Sequence, residues 1–458
     1  MLTSIITYQD FKYDMRFDAE YYKSDYFETD MCLERNSYYT KLFNVANKNK
    51  KRFNPLSKPQ NTFYYVEIDN VNLIDGRFTY EKLRNYQAPS RARRLLEYKD
   101  VFISTVRPNR NAVSIFLKKD DNFVCSTGFA VIKSQAINPF FLFVFLKTKY
   151  AIKQLVRKTS AAMYPAVSED EIMNLKLINP PQSFQFRIEQ RVKSACEKQK
   201  QAEQKYIKAE AILEKELGLD KIQMQNDHIT IINHSDIISD FRIDAQYFSS
   251  QKLKSTFLDK FDSKCLKQLC EKIETGLTPA KESYWYKGYP VLKMGCLTNS
   301  GIDWSKIEFA NESYFKKTKK YSIGEEDIVL TSSAHALEHI AKKVDIIIEI
   351  PKEYQNKLVF VGEVMRLRVN KELVNPYYLL LFLRTELGYK LFQNCIRGQT
   401  AHIYPKDVEK ILIPIISKKK QEKIEELIRE AHTLLRESTE LIGSSVNEIE
   451  KSIVEGRG

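Results

Sequence analysis

The strongest limit on how this chain can fold is that it contains one plan twice. Near its start stands Asp14-Met-Arg-Phe-Asp-Ala-Glu-Tyr-Tyr22 and near its middle Asp240-Phe-Arg-Ile-Asp-Ala-Gln-Tyr-Phe248, an offset of 226 in 458 residues. A second pair, Ile137 to Thr148 (INPFFLFVFLKT) and Val374 to Thr385 (VNPYYLLLFLRT), shares six of twelve residues at an offset of 237. Weaker matches follow in the same order: Tyr65 to Gly76 with Pro290 to Gly301, Asp100-Val-Phe-Ile-Ser104 with Asp327-Ile-Val-Leu-Thr331, and Tyr164-Pro165 with Tyr404-Pro405. Collinear repeats of this length imply two like globular assemblies.

Each copy ends in a short apolar, strand-like run, Leu175 to Asn179 and Ile411 to Ile416, and then in a long charged segment. In the first segment Ile188, Val192, Ala195, Gln199, Ala202, Tyr206, Ala209 and Leu213 recur at steps of four and three, with Gly218 as a stop. The second repeats the seam with Ile424, Ile428, Ala431, Leu435, Ser438, Ile442 and Ile449. Neither seam can stand alone in water, so the two helices are expected to pack on each other as an antiparallel coiled coil. The expected fold class is α+β. Its domains are a first globular head over 1–181, a central helix over 182–220, a second globular head over 221–416 and a C-terminal helix over 417–458. The 25-residue seam from 188 to 213 spans roughly 40 Å, close to one turn of duplex DNA at about 34 Å.

Charge separates the heads from the helices. Of the net +13, residues 1–181 carry +9 and residues 221–416 carry +4, while the two helical segments together carry none. Such an excess favours a polyanionic partner. Disorder is excluded by 43% hydrophobic and 12% aromatic residues beside only 14 Gly and 14 Pro. The longest apolar runs, Phe140 to Leu146 and Tyr377 to Leu383, are too short for a bilayer. The start MLTSIITYQDFKYD lacks a secretory signal, and the seven scattered cysteines have no CxxC pair. A cytoplasmic protein with reduced thiols is expected, without a structural metal.

The candidate contacts lie in loops. Arg84, Arg91, Arg93 and Arg94 surround a Pro-Ser turn, and Thr105-Val-Arg107-Pro-Asn109-Arg110-Asn follows a strand. Arginine forks suit phosphate oxygens and the guanine edge. In the second copy the post-strand loop is Thr331-Ser332-Ser333-Ala-His335, flanked by Lys281, Tyr284 and Trp285, by Lys293, and by Arg397-Gly-Gln399-Thr400-Ala-His402. For any one of these residues the plain alternative is a solvated surface loop. Two short segments match catalytic patterns. His335-Ala-Leu-Glu-His339 fits the H-x-x-E-H pattern of zinc peptidases but lacks a third ligand. Asn179-Pro-Pro-Gln182 is similar to the Asn-Pro-Pro-aromatic site of DNA amino-methyltransferases, but Gln182 replaces the aromatic, and the prolines are better read as a strand stop before a helix. No nucleophile with a base, no phosphate loop and no nuclease constellation stands out.

The chain resembles the specificity subunits of type I restriction-modification systems. The resemblance rests on Ala88-Pro-Ser-Arg-Ala-Arg-Arg94, Asp100 to Arg110, Cys125-Ser-Thr-Gly-Phe-Ala130, Tyr164 to Glu171 with the following Leu175 to Pro181, and the two terminal helices. It covers the chain in the order head, helix, head, helix. The second head departs from it at the arginine loop and has Val361-Gly-Glu-Val364 in place of the Ser-Thr-Gly run. The resemblance implies a non-catalytic reader in phage defence whose two heads each recognise half of a split double-stranded DNA target. The seam residues Ile188, Val192, Tyr206, Leu213, Ile424, Ile428, Leu435 and Ile442 would set the spacer and dock two modification (methyltransferase) subunits. S-adenosylmethionine, ATP and Mg are expected only in those partners and in the restriction subunits. A start at Met1 and an end just past the second helix favour a separate subunit over part of a fused restriction-methyltransferase.

Overall fold

The computed structural model describes residues 16, 18–119, 122–159, 165–219, 231–240, 248, 260–298, 301–397 and 401–456. Of the repeated segments, Asp14, Met15 and Phe17 in the first and residues 241–247 in the second lie outside them. The chain divides into two compact units, Met1–Lys200 with Leu434–Gly458, and Gln201–Thr433. Each is a mixed head of helices and sheets that also takes in one half of each of the two long helices, Gln182–Leu217 and Lys418–Glu455.

The first head contains an antiparallel sheet ordered Ala46–Lys48, Phe129–Ser134, Val101–Ser104, Val113–Ile115. The second contains the same arrangement as Cys270–Thr275, Val364–Val369, Ile328–Thr331, Val344–Ile346. A second sheet in each head is built around one parallel pair, Thr62–Val66 with Phe123–Ser126 and Tyr289–Leu292 with Val359–Phe360. The central strands are buried on both faces because side chains alternate between two cores. Val101 and Ile103 face the core that holds the helix Pro139–Leu146, and Phe102 faces an aromatic core with Phe116, Phe123 and Phe129. Ile328 and Leu330 are divided from Val329 in the same way.

A buried aspartate opens each central strand. The Glu97 N–H donates to Asp100 Oδ2 at 2.8 Å and the Gly324 N–H to Asp327 Oδ2 at 2.7 Å. The residue before each aspartate is left-handed, Lys99 at φ 69° and Glu326 at φ 65°. The two carboxylates are compensated differently. Asn49 Nδ2 donates to Asp100 at 2.6 Å, and burial pushes the Asp100 pKa up. Asp327 instead takes Arg368 at 2.7 Å and stands 3.6 Å from the fully buried Arg366, which also pairs with Glu274.

One asparagine fastens each head to a long helix. Asn138 Oδ1 caps the helix Pro139–Leu146 by accepting from the Phe140 and Phe141 N–H groups, while its own N–H donates to Gln185 at 2.8 Å and its Nδ2 to Glu189 at 2.6 Å. Asn375 repeats the clasp, capping Pro376–Arg384 and donating to Gln421 and Glu425. Beyond the clasp the seam residues Ile188, Val192, Leu213, Ile424, Ile428, Leu435 and Ile442 are buried, and Tyr206 is half-buried. Within the first unit Arg191 pairs with Glu448 and Lys198 with Glu437. Within the second, Lys205 pairs with Glu430 and Glu216 with Lys420. In both, partner numbers fall on one helix as they rise on the other. The second unit places a polar layer in its seam, Tyr206 Oη at 2.6 Å from His432 Nε2.

One repeat match is corrected. The Val167 N–H donates to Thr105 O and the Ile403 N–H to Ser332 O, each at 2.9 Å, which sets Val167 opposite Ile403. Tyr404-Pro405 therefore takes the place of Ser168-Glu169, where each head starts a short helix, Glu169–Met173 or Pro405–Val408. It does not take the place of Tyr164-Pro165, of which Tyr164 lies outside the described residues.

The two aspartates should respond oppositely to neutralisation. Asp327→Asn removes the partner of Arg368 and one of the two acids beside the buried Arg366, and is expected to cost about 3 kcal/mol. Asp100 has a raised folded pKa, so the stability tied to its protonated form is lost as pH rises from its unfolded to its folded pKa. Asp100→Asn should therefore cost little at pH 7. Urea unfolding at pH 7 compares the two; equal losses would contradict this account.

Candidate nucleic-acid interface

In the first head the candidate loops converge on one tight turn that links its two sheets. Phe123–Ser126 and Phe129–Ser134 are joined by Thr127-Gly128, whose Thr127 N–H donates to Arg91 O at 2.8 Å. On the other side the Thr105 N–H donates to Gly128 O at 2.8 Å and Thr105 Oγ1 donates to the same oxygen at 3.0 Å. The arginine turn and the post-strand loop thus belong to one surface. A Cβ at Gly128 would lie 2.7 Å from Ile68 Cδ1, so the turn is also tightly packed. Beyond it the Arg107 N–H donates to Pro165 O at 2.7 Å, and Arg107 and Asn111 bracket Pro108–Arg110 with left-handed backbones at φ 50° and 56°.

The side chains on this surface are not equivalent. Arg84, Arg91, Asn109 and Arg110 are exposed, while Thr105 and Arg107 are half-buried. Arg84 Nη1 reaches Gln60 Oε1 at 3.5 Å, and Arg93 Nη1 donates to Ala92 O at 2.7 Å and Pro89 O at 3.3 Å. Arg94 departs from the expectation of a solvent-facing contact. It is 6% exposed and pairs with Glu169, and burial, with Arg52 nearby, pushes its pKa down. Its strand Ala92–Leu95 alternates buried and half-buried positions, and Arg94 falls on the inner face.

The second head builds the same kind of hub from Val361-Gly-Glu363. The Ser332 N–H donates to Glu363 O at 2.9 Å, while Thr278 Oγ1 donates to Glu363 Oε2 at 2.8 Å and accepts from the Gly362 N–H at 3.1 Å. Gly276 is required beside it, since a Cβ there would lie 1.9 Å from Phe360 O. Ser333–Ala334 pairs with Ala401–His402, and Ser333 Oγ lies 2.9 Å from His402 Nε2. Arg397 makes a two-pronged pair with Asp407 at 2.7 and 2.5 Å, an anchor that the sequence did not disclose. Lys281, Trp285 and His335 are exposed, and Tyr284, Ser333 and His402 are half-buried. Ser332 is 1% exposed with its Oγ donating to Gly362 O at 3.3 Å, so it supports the turn from within. Lys293 Nζ is held by Glu308 at 2.9 Å over the Tyr284 ring. Burial works against its charge, but Glu308 and Tyr284 outweigh it and raise its pKa. Gln399 and Thr400 lie outside the described residues.

The peptidase pattern does not form its helical face. His335 follows the short strand Ser333–Ala334, and His339 ends a 3-10 turn, Leu337–His339, with both side chains exposed. Among the described residues no three His, Cys, Asp or Glu side chains gather to hold a metal, and no helix is long and apolar enough to cross a membrane. Sequence reasoning missed Lys58, and it placed Tyr86, Thr278, Glu363 and Arg397 within segments of interest without the contacts they make. Their placement depends on contacts between loops far apart in the chain, and only the Ser-Thr-Gly run signalled the first hub.

Residues 258–451 match the family described as type I restriction modification DNA specificity domain. Over 196 residues the chain is 26% identical to a putative type I restriction enzyme MjaX specificity subunit of Methanocaldococcus jannaschii, covering 42% of this chain and 44% of that protein. Over 153 residues it is 25% identical to the type I restriction enzyme HindI specificity subunit of Haemophilus influenzae, covering 32% of each. The matches therefore span less than half the length of these relatives. Among solved structures, the HsdS subunit from Thermoanaerobacter tengcongensis aligns over 91% of this chain and 96% of its own at 17% identity and a TM-score of 0.34. The type I restriction-modification S subunit from M. genitalium aligns over 92% and 96% at 11% identity and a TM-score of 0.38. Residues 258–451 thus match a type I restriction-modification specificity domain, and parts of the chain are similar to type I specificity subunits.

Loss of the Arg94 guanidinium should act on folding, and loss of Arg91 should not. Arg94→Ala is expected to destabilise the first unit by on the order of 2 kcal/mol, with faster hydrogen exchange in Ala92–Leu95. Arg91→Ala should leave exchange there unchanged; identical exchange in both variants would remove the distinction drawn between the two arginines.

Proposed function

We propose that the chain is the DNA-reading specificity subunit of a type I restriction-modification complex. Each head reads half of a split duplex target, and the two long helices pair as an antiparallel coiled coil that fixes the unspecified spacer. The observation that carries this reading is the repeated hub. In each head one turn between the two sheets binds two candidate loops, and in the first head those loops carry exposed arginines without a neighbouring acid on the same loops. Backbone hydrogen bonds hold such loops in fixed relation, which sequence readout of base edges requires. The opposed order of ion pairs within each unit supports the antiparallel pairing.

On this reading the chain itself performs no chemistry. Two methyltransferase subunits dock along the helices and bring S-adenosylmethionine, and restriction subunits bring ATP and Mg-dependent translocation and cleavage, all in the cytoplasm. The first head reads mainly with cations, and the second with Lys281, Trp285, Ser333, His335 and His402.

Two outcomes test it. Sequencing methylated adenines in cells that express the chain with its modification subunit should reveal a split motif. Arg84→Ala with Arg91→Ala should relax one half of that motif and spare the other, at about 1–3 kcal/mol per lost base contact. One extra heptad in Gln182–Leu217, matched in Lys418–Glu455, should change the spacer. Unchanged motifs in the first case or an unchanged spacer in the second would refute the corresponding role.

A further inference from the structure

Among the described residues of the first head outside the long helices, the two most exposed large apolar side chains stand on its basic loops. Leu56 is 81% exposed and Tyr86 61%. They rise from two short 3-10 turns, Pro55–Ser57 and Asn85–Gln87. These turns are laced to each other, since the Asn85 N–H donates to Asn61 O at 2.8 Å, the Tyr86 N–H to Pro59 O at 3.1 Å, and Asn85 Nδ2 to Lys58 O at 2.8 Å. Each turn is also fixed from within. Asn54 Oδ1 accepts from the Leu56 N–H at 3.1 Å and Gln87 Oε1 from the Arg84 N–H at 3.1 Å. The two side chains are therefore presented outward on ordered backbone, where they are available to a partner.

The surroundings indicate what that partner is. Residues 54–62 and 84–94 contain no acid, and they carry Lys58, Arg84, Arg91 and Arg93 on or near the surface. A protein surface seated on this tip would have to meet an unbroken set of cations. Duplex DNA presents phosphates at the rim of each groove and apolar base faces within the stack. Wedges of Leu and similar residues, flanked by Arg and Lys, open base steps in this way. We propose that Leu56 and Tyr86 form a wedge that enters the half-site read by the first head and unstacks one base step, while the cations around it grip the flanking phosphates. The head would then read the deformability of that step as well as its base edges, with flexible pyrimidine–purine steps favoured. This inference rests on the DNA-reading function proposed above.

The test uses the full chain assembled with its modification subunit and duplexes bearing its methylated motif, with 2-aminopurine placed in turn at each position of the first half-site. Binding should raise the fluorescence at one step. Leu56→Ala with Tyr86→Ala should abolish the rise and weaken binding about tenfold, with the salt dependence of binding retained because the phosphate contacts remain. Leu56→Met, which keeps an apolar tip, should preserve the rise. No rise at any step with the unaltered chain, or a rise that survives the double substitution, would overturn the wedge. A double variant that no longer assembles with the modification subunit would also overturn it, by marking the tip as a protein-docking face. Failure of the underlying reading looks different: the unaltered assembly would then show no preference for its motif over a scrambled duplex.

Discussion

The asparagine clasp at the foot of each head is the contact on which the rest of the structure depends. The helices Pro139–Leu146 and Pro376–Arg384 are apolar nearly all round, so they can exist only inside a core, where unpaired N–H groups at their start would be costly. Asn138 and Asn375 satisfy those groups with the side-chain oxygen and spend the remaining donors on a glutamine and a glutamate of the adjoining long helix. One residue thus begins the buried helix and joins it to the long one. The glutamine is in turn anchored to the carbonyl of the preceding strand exit, Pro180 or Ile416. Within each unit the head core and the helix seam consequently run into one apolar cluster.

A head built in this way can expose polar loops without losing their geometry. The central strands are covered on both faces, and the loops leave from their ends, where backbone groups would otherwise seek water. In each head those groups bond to a turn between the sheets instead. Beside the second turn Gly276 tolerates no larger residue, since a Cβ there would meet the Phe360 carbonyl oxygen, whereas one at Gly128 would meet only the end of the Ile68 side chain. Variation can then concentrate in the outward side chains while the frame is kept.

Much of this was legible in the sequence because repetition and periodicity report on the frame. The INP and VNP helices, the aspartates before the central strands and the four-three seam all fell where the repeat placed them. Register and long-range contact were not legible. Arg94 sits in a run of arginines, but its strand pairs with Phe123–Ser126 through a register shift between Ala92 and Arg94, and that irregularity decides which arginines turn inward. Ser332 reads as a loop hydroxyl until the backbone folds over it. The Tyr-Pro match failed for a related reason, since a dipeptide shared by chance cannot outweigh the hydrogen bonds that set Val167 opposite Ile403.

The difference in net charge between the heads understates how unlike their surfaces are. In the second head Lys293 is held by Glu308 and Arg397 by Asp407, and the hub itself carries a carboxylate, Glu363, against Thr278. Those cations are spent on holding loops together. In the first head the hub turn is uncharged, and Arg84, Arg91 and Arg110 extend into solvent from loops that the backbone already holds. The same frame thus fixes its loops by main-chain bonds in both copies, adding the buried Arg94–Glu169 pair in the first and several more exposed ion pairs in the second. The choice determines which side chains remain available for a polyanion: guanidinium groups in the first head, and aromatic, hydroxyl and imidazole groups with Lys281 in the second.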